Sequence, residues 1–374
     1  PCPVVRTWHA SWKNFCVSSV ANAIKNNCHA QGQPMRQVCI VRHGPPEVLT
    51  LQRAPDPCVT PGTVRIAVQA IGVNFADVLA RQGLYPDCPK PPVVVGYEVA
   101  GVVEAVGEGV TAVMPEQPVL ALTRFGGYAE RVVVPVQQVF PVPPGMPLTT
   151  AAALPVNYLT AYLMLYFWGR LQAGEHVLIH GAAGGVGLAA VQLARLRHAE
   201  IYGTAAASKH AFLHEQGVHH TIDYYHHDLP MVIHGLTGGR GLDIVLDPLG
   251  GRSFAQSYKM LAPLGRLLLF GASRMSPGLH RNLLAVFWHL LRMPRFHPLR
   301  LINANKAVIG VHLGRLWDHT DLLREAMQAL LQLYVQGQIN PVIAHTFPLA
   351  AAPAAHRYLQ ERRNIGKVLL TIDA

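Results

Sequence analysis

The chain has 374 residues, half of them apolar and 14% charged, with a formal net charge of +10 at pH 7. That length allows two domains with separate cores, and Gly and Pro without a period exclude a collagenous or wholly disordered chain. No charge-free apolar run approaches the roughly 18 residues of a spanning helix; the strongest stretch, Leu283–Leu291, contains His289 and is followed by Arg292.

Residues 1–35 show no alternation that continues into the rest of the chain, and they are expected to form an extension outside the fold, partly disordered. Four of the six cysteines fall in the first 39 residues and no two make a CxxC pair. The pattern predicts a reducing, cytoplasmic setting rather than a disulfide framework. The 20 histidines show no metal-ligand spacing; His219–His220 and His226–His227 sit in a polar turn region and read as solvated loop residues.

From Val38 to about Val142 short strands alternate with Gly and Pro: Val38–Arg42, Leu49–Arg53, Val64–Gly72, Ala100–Val106, Val119–Leu122 and Ala129–Pro135. That density of strands and turns predicts a compact, barrel-like β-rich domain. Thr149–Trp168 is then Ala- and Leu-rich with helical spacing. Six strands follow with intervening helices, at His176–His180, Glu200–Thr204, His220–Asp223, Leu242–Asp247, Gly265–Gly271 and Ala307–Val311. Such alternation predicts a doubly wound parallel sheet, an α/β Rossmann unit. The last stretch holds an amphipathic helix near Leu322–Val335 and a closing strand, Lys367–Ile372; it is too short for a domain and is expected to pack back on another.

The segment Val177–Gly187 reads VLIHGAAGGVG: an apolar strand, a glycine cluster and the start of an Ala/Leu-rich helix. Gly184 lets the backbone approach a pyrophosphate, Gly187 lets the helix pack closely on the strand, and the helix N-terminus offers free N–H groups. A glycine triplet alone can be an ordinary tight turn, but here the flanking strand, helix and further βα repeats supply the context for a dinucleotide. A carboxylate ending the next strand would favour NAD. Instead that strand ends in GTAAASKH (Gly203–His210), with no acid between Ile201 and Phe212. Ser208 and Lys209 can donate to a 2′-phosphate, which predicts NADPH. Read without a ligand, Lys209 is a solvated first-turn residue, an unfavourable place for a cation.

Several ordered segments then identify a resemblance: VNFADVLARQGLYP (Val73–Pro86), VNYLTAY (Val156–Tyr162), GAAGGVGLAAVQLAR (Gly181–Arg195), GTAAASKH, GLDIVLDPLGG (Gly241–Gly251) and RNIGKVLL (Arg363–Leu370). From about Arg36 to Ile372 the chain resembles the medium-chain dehydrogenase/reductase superfamily, in its zinc-free quinone oxidoreductase subfamily. Within that subfamily it is similar to the membrane-associated branch of synaptic vesicle amine transport protein homologues. The resemblance implies a GroES-like catalytic domain from residues 36–159 and 311–374, and a Rossmann NADP-binding domain at 160–304, with the site in the cleft between them. It places Asn74, Asp77 and Tyr85 on the cleft wall as catalytic candidates. Thr160 is implied near the nicotinamide and phosphates, Ala183, Gly184, Gly185 and Val186 on the pyrophosphate, Lys209 and Tyr224 by the 2′-phosphate, and Asn364 and Lys367 at a C-terminal cofactor contact. It also implies a homodimer and a cytoplasmic location, with peripheral contact to vesicle or mitochondrial outer membranes.

The departures carry information too. Zinc alcohol dehydrogenases have Cys where this chain has Asn74 and His where it has Tyr97, and no Cys follows Cys88 to build a four-cysteine zinc lobe. Neither an amide nor a neutral phenol replaces thiolate and imidazole on zinc, so no metal is expected. The usual charged Gly-Asp-Arg-Val turn is replaced by Glu116-Gln117-Pro118. Without zinc, the expected chemistry is hydride delivery to an already electrophilic quinone or α,β-unsaturated carbonyl, aided by orientation and hydrogen bonds. Tyr85 and Asn74 are the candidate donors to the acceptor oxygen, although Tyr85 also reads as a packed aromatic. Asp77 and Glu98 read as orienting groups.

A rival reading is an NADPH-binding protein of membrane surfaces with little turnover. Between Pro248 and Trp317 there is no acid, while ten basic residues run from Arg252 to Arg315. At residues 281–300, Leu284, Phe287, Trp288 and Leu291 interleave with Arg and His, as in an interfacial segment on anionic lipid. The same segment also suits a helix covering the cleft at a dimer interface. No nucleic-acid module is present.

Overall fold

The computed structural model describes residues 34–224, 226–276 and 278–372. The expected N-terminal extension lies outside the described residues up to its last two, where Met35 already opens the first strand. β1 (Met35–Ile40) pairs antiparallel with β2 (Leu49–Ala54). The long β3 (Thr63–Val73) buries Val64, Ile66 and Val68 at the period of two that a half-buried strand requires. Helix α1 (Phe75–Arg81) and the short β4 (Val93–Val94), which pairs with β1, lead on to β5 (Glu98–Val106), β6 (Pro118–Leu122), β7 (Arg131–Pro135) and β8 (Val139–Pro141). β3 pairs with both β5 and β7, and two register shifts in the β3–β5 ladder bend the sheet towards a barrel.

Helices α2 (Leu148–Ala153) and α3 (Pro155–Tyr162), the latter continued by a wider π turn over Leu163–Trp168, carry the chain across to the second domain. There β9 (His176–His180), α4 (Gly185–Leu196), β10 (Glu200–Thr204), α5 (His210–Glu215), β11 (His220–Ile222), α6 (Leu229–Leu236), β12 (Leu242–Asp247), α7 (Arg252–Met260) and β13 (Leu261–Leu269) alternate in order. After α8 (Leu283–Leu291) and α9 (Pro298–Ala304) comes β14 (Ala307–Gly310). The sheet order is β11-β10-β9-β12-β13-β14, with every pairing parallel. All six residues of β12 are buried, as befits a strand with both faces covered. β14 carries this sheet beyond residue 304, the end implied for the cofactor domain. The sheet order reverses between β9 and β12, which is where an open α/β sheet forms a ligand crevice at its carboxyl ends.

The C-terminal part adds α10 (Thr320–Val335), β15 (Ile343–Pro348), α11 (Ala352–Gln360) and β16 (Lys367–Thr371). β16 lies between β15 and β3, so the end of the chain completes the seven-stranded sheet of the first domain. The fold is thus an α/β one, a β-rich GroES-like domain joined to a Rossmann domain. One buried apolar cluster fills the β-rich domain, and another runs from α2 and α3 into the Rossmann sheet.

Candidate active site between the two domains

The glycine turn lies at the carboxyl end of β9, with Gly184 as the N-cap of α4. A Cβ on Gly187 would come within 2.3 Å of the Gly181 carbonyl oxygen and 2.6 Å of that of Ala182, so only glycine lets the helix sit this close to the strand. Gly185 has a different constraint: its Cβ would meet Asn157 Nδ2 at 2.3 Å. Asn157 is buried on α3 and lines the same cleft; it falls within the VNYLTAY segment, to which the sequence gives no role at this position.

A cavity of about 410 Å³ runs from this turn, lined by Ala183, Gly184, Gly185, Val186, Lys209, Tyr224, Asn364 and Lys367. Eight of the ten implied cofactor residues therefore converge. Of the other two, Thr160 lines the adjoining cavity, and Ser208 is exposed outside the lining. Lys209 Nζ donates to the backbone oxygens of Arg362 and Asn364, both at 2.7 Å. Burial and the Arg362 charge lower its pKa. Arg362 itself, missed in the sequence, lines the cavity and donates to the Tyr224 hydroxyl at 3.4 Å. The acid at this rim, Glu361, is drawn to Arg363 at 3.6 Å. Gly366 N donates to Ala183 O at 2.9 Å and pins the C-terminal loop to the glycine turn.

His180, which lines this cavity at the end of β9, meets Asp247 at the end of β12 and Ser257 on α7. His180 Nε2 is 3.0 Å from Ser257 Oγ, and that hydroxyl donates to Asp247 at 2.7 Å. Since the serine stands between the imidazole and the carboxylate, this is a closed polar clasp and no nucleophile is produced.

A second cavity, of about 440 Å³, adjoins the first and shares Asn74, Phe75, Val186, Pro248, Phe270 and Ser273 with it. Its wall is mainly apolar, including Leu79, Leu84, Val156, Leu313 and Trp317, with Tyr85, Tyr97, Thr160 and His312 as polar members. Tyr85 stacks on His312 with ring centroids 5.5 Å apart. Burial and the nearby Asp87 and Asp77 carboxylates push the Tyr85 phenol up to about 12, which keeps it a proton-bearing donor at neutral pH.

Asn74 is already engaged. Its Nδ2 donates to Glu98 Oε1 at 2.8 Å, and its Oδ1 accepts from Lys367 Nζ at 2.6 Å. Lys367 also bonds Glu98 at 2.5 Å, and Glu98 Oε2 accepts from Val156 N at 2.6 Å, at the start of α3. This buried pair ties β16, β5, α1 and α3 together, and Gly72 makes room for it, because a Cβ there would lie 2.3 Å from Glu98 Oε1. Asp77 lies beneath, fully buried, accepting from the backbone N–H groups of Asn74 at 2.7 Å and Gly96 at 3.1 Å and from the Tyr128 hydroxyl at 3.2 Å. Burial raises its pKa to about 7 against these bonds and Lys367. Its place outside both cavity linings makes it an orienting group for the α1 N-terminus.

Among the described residues no helix is long and apolar enough to cross a membrane, and no group of three or more His, Cys, Asp or Glu is placed to hold a metal ion. The charge asymmetry of residues 248–317 is partly cancelled in space, since Arg266 pairs with Glu175 and Arg315 with Asp87.

Comparison with known proteins agrees with this architecture. Residues 60–144 match the alcohol dehydrogenase GroES-like domain, and residues 216–370 match the zinc-binding dehydrogenase family. The human synaptic vesicle membrane protein VAT-1 homolog is 43% identical over 342 residues, covering 90% of this chain and 86% of that protein. The zebrafish counterpart is 45% identical over 85% of this chain, which spans 66% of its length. Among solved structures, the human VAT-1 homolog-like protein superposes with a TM-score of 0.80 at 32% identity, covering 92% of this chain and 99% of that one. Escherichia coli quinone oxidoreductase complexed with NADPH gives 0.81 at 28% identity, covering 90% and 99%. The chain belongs to the medium-chain dehydrogenase/reductase superfamily, an oxidoreductase family.

Proposed function

We propose that this chain is an NADPH-dependent, zinc-independent reductase of quinones or α,β-unsaturated carbonyls. The observation that carries the reading is the shared wall of the two cavities: a group bound along the glycine turn and an apolar molecule beside Tyr85 would meet at Asn74, Phe75 and Val186. In support, the E. coli neighbour crystallised with NADPH is a quinone oxidoreductase, CurK, at 29% identity, is an enoyl reductase, and a 2-haloacrylate reductase is 32% identical over 84% of this chain.

The residues fit the cofactor. Gly184, Gly185 and the first N–H groups of α4 suit the pyrophosphate, and Lys209, Arg362 and Tyr224 suit a 2′-phosphate. Asn364 and Lys367 complete the floor. Bound NADPH supplies a hydride at nicotinamide C4. The apolar wall excludes water and orients the acceptor, while the Tyr85 hydroxyl donates to the oxygen on which negative charge grows. Asn74, held by Lys367 and Glu98, positions the α1 N-terminus. An amide and a phenol at Asn74 and Tyr97 leave a zinc ion without suitable ligands.

The test is NADPH oxidation followed with 1,4-naphthoquinone and a simple enone. Turnover with NADPH well above that with NADH is expected. Tight NADPH binding with rates at background for both acceptors would refute the reading.

The exposed face of α8 favours a second activity at membranes. Leu283, Leu284, Phe287, Trp288, Leu290 and Leu291 are all more than half exposed, and Arg292 stacks over Trp288 at 5.7 Å. An apolar face rimmed by arginines suits the interface of an anionic leaflet on vesicles or the mitochondrial outer membrane. Binding to phosphatidylserine liposomes at low salt is expected, and no loss on charge reversal at Arg292 and Arg295 would remove this reading. We also retain the homodimer; β14, at the edge of its sheet, offers a strand that a second copy can extend, and light scattering measures the mass.

A further inference from the structure

The second cavity contains a buried phenol, Tyr97, beside that of Tyr85. Tyr97 is only 5% exposed, its hydroxyl is buried, and among the described residues that hydroxyl has no hydrogen-bond partner. A buried donor left empty costs stability, and such a group in a folded protein calls for a reason. Most polar groups at this site are engaged: Asn74 by Glu98 and Lys367, Asp77 by Asn74, Gly96 and Tyr128, and the Thr123 hydroxyl by Gly96 O at 2.7 Å. The Tyr97 hydroxyl, in the acceptor cavity beside Tyr85, is not.

The two rings pack at 5.8 Å between centroids and 57° between planes, and both line the cavity. Phe125 backs Tyr97 at 5.5 Å and His312 backs Tyr85 at 5.5 Å, so each ring packs between two aromatic neighbours. We propose that Tyr97 is a positioning residue that donates to the Tyr85 hydroxyl and so aims the Tyr85 proton at the carbonyl oxygen of a bound acceptor. A phenol that accepts one hydrogen bond becomes a better donor of its own, because successive bonds polarise one another. The direction is set by the surroundings. Burial beside Asp77 raises the Tyr97 pKa well beyond that of Tyr85, so Tyr97 keeps its proton more firmly and sits at the rear of the chain. The site then discriminates for a neutral acceptor bearing a carbonyl, over a hydrocarbon of the same shape.

This inference builds on the proposed acceptor cavity, but its test does not need turnover. The protein saturated with NADP⁺, which carries no hydride to give, is titrated with 1,4-naphthoquinone and with naphthalene; quenching of tryptophan emission, to which Trp317 in the cavity wall contributes, reports binding. The bound quinone's carbonyl stretch is recorded by infrared difference. The wild type should prefer the quinone and lower its carbonyl frequency. Tyr97→Phe should reduce the preference about fivefold and reverse part of the frequency shift. In a Tyr85→Phe background the same change should do nothing. Because the Tyr97 hydroxyl has no partner besides that of Tyr85, which stays bonded through its own proton, Tyr97→Phe should leave the Tm nearly unchanged and the NADP⁺ affinity unaltered. A preference unaltered by Tyr97→Phe, an equal effect in the Tyr85→Phe background, or no carbonyl preference in the wild type would each overturn the relay. A relay that passes this test in a protein without quinone or enone turnover would sustain the inference and defeat only the reductase reading.

Discussion

Lys209 shows how one side chain can be legible in sequence for a sound reason and still gain meaning from its surroundings. An absent acid after β10 pointed to a 2′-phosphate, and the folded chain sets Lys209 against two carbonyl oxygens of the C-terminal loop, with Arg362 beside it. Lys209→Ala is expected to weaken NADPH binding roughly 10- to 100-fold, the worth of a charge-assisted hydrogen bond, and to leave NADH nearly unchanged; a titration with both nucleotides checks it. Asp77 gives a pH prediction. Its carboxyl rises from an ordinary value of 3.8 to about 7 on folding, so the folded state binds its proton more tightly than the unfolded one. Its contribution to stability is therefore full below about pH 4 and is lost as pH rises through about 7. The Tm of Asp77→Asn, measured from pH 5 to 8, should rise relative to wild type up to about pH 7 and then run parallel.

At the scale of elements, α4 is the piece whose position follows most directly from composition. Its Ala and Leu face packs on β9, and Gly187 permits the contact. Gly187→Ala would drive a methyl into two backbone carbonyls; we expect a loss of about 1–3 kcal/mol, the usual cost of overpacking, together with loss of NADPH binding, seen by thermal melting with and without nucleotide. α8 is the opposite case. Its nine residues carry one buried side chain, Val286, so burial within the chain does not explain its composition; the proposed interfacial role at anionic lipid would use both its apolar face and its arginines.

At the scale of the whole molecule, a shared apolar cluster and several polar groups hold the two domains together. Gln192 on α4 is buried and accepts from Tyr158 at 2.8 Å and Asn340 N at 2.9 Å, and donates to Asn340 O at 2.9 Å. Gln192→Ala leaves those partners unsatisfied at about 1–3 kcal/mol each. A fall in Tm of several degrees is expected, with the acceptor cavity retained, so a naphthoquinone titration below the new Tm should match wild type.

The sequence by itself determined the Rossmann unit, its glycine turn and the family, because these rest on local periodicity and on contiguous motifs that survive without a partner. Through the family resemblance it also named eight residues that line the cavity at the glycine turn. What it left open depends on contacts between distant segments. That Asn74 is bound by Glu98 and Lys367, that Asn157 requires Gly185, that Arg362 joins Lys209, that Ser208 faces outward and that Tyr97 stands unpaired behind Tyr85 are facts of chain crossing, not of spacing. They arise where β16, the last strand, inserts beside β3 and brings residues nearly three hundred positions apart into hydrogen-bond range. No local pattern encodes such a meeting, because its cause is the burial of both strands in a single sheet.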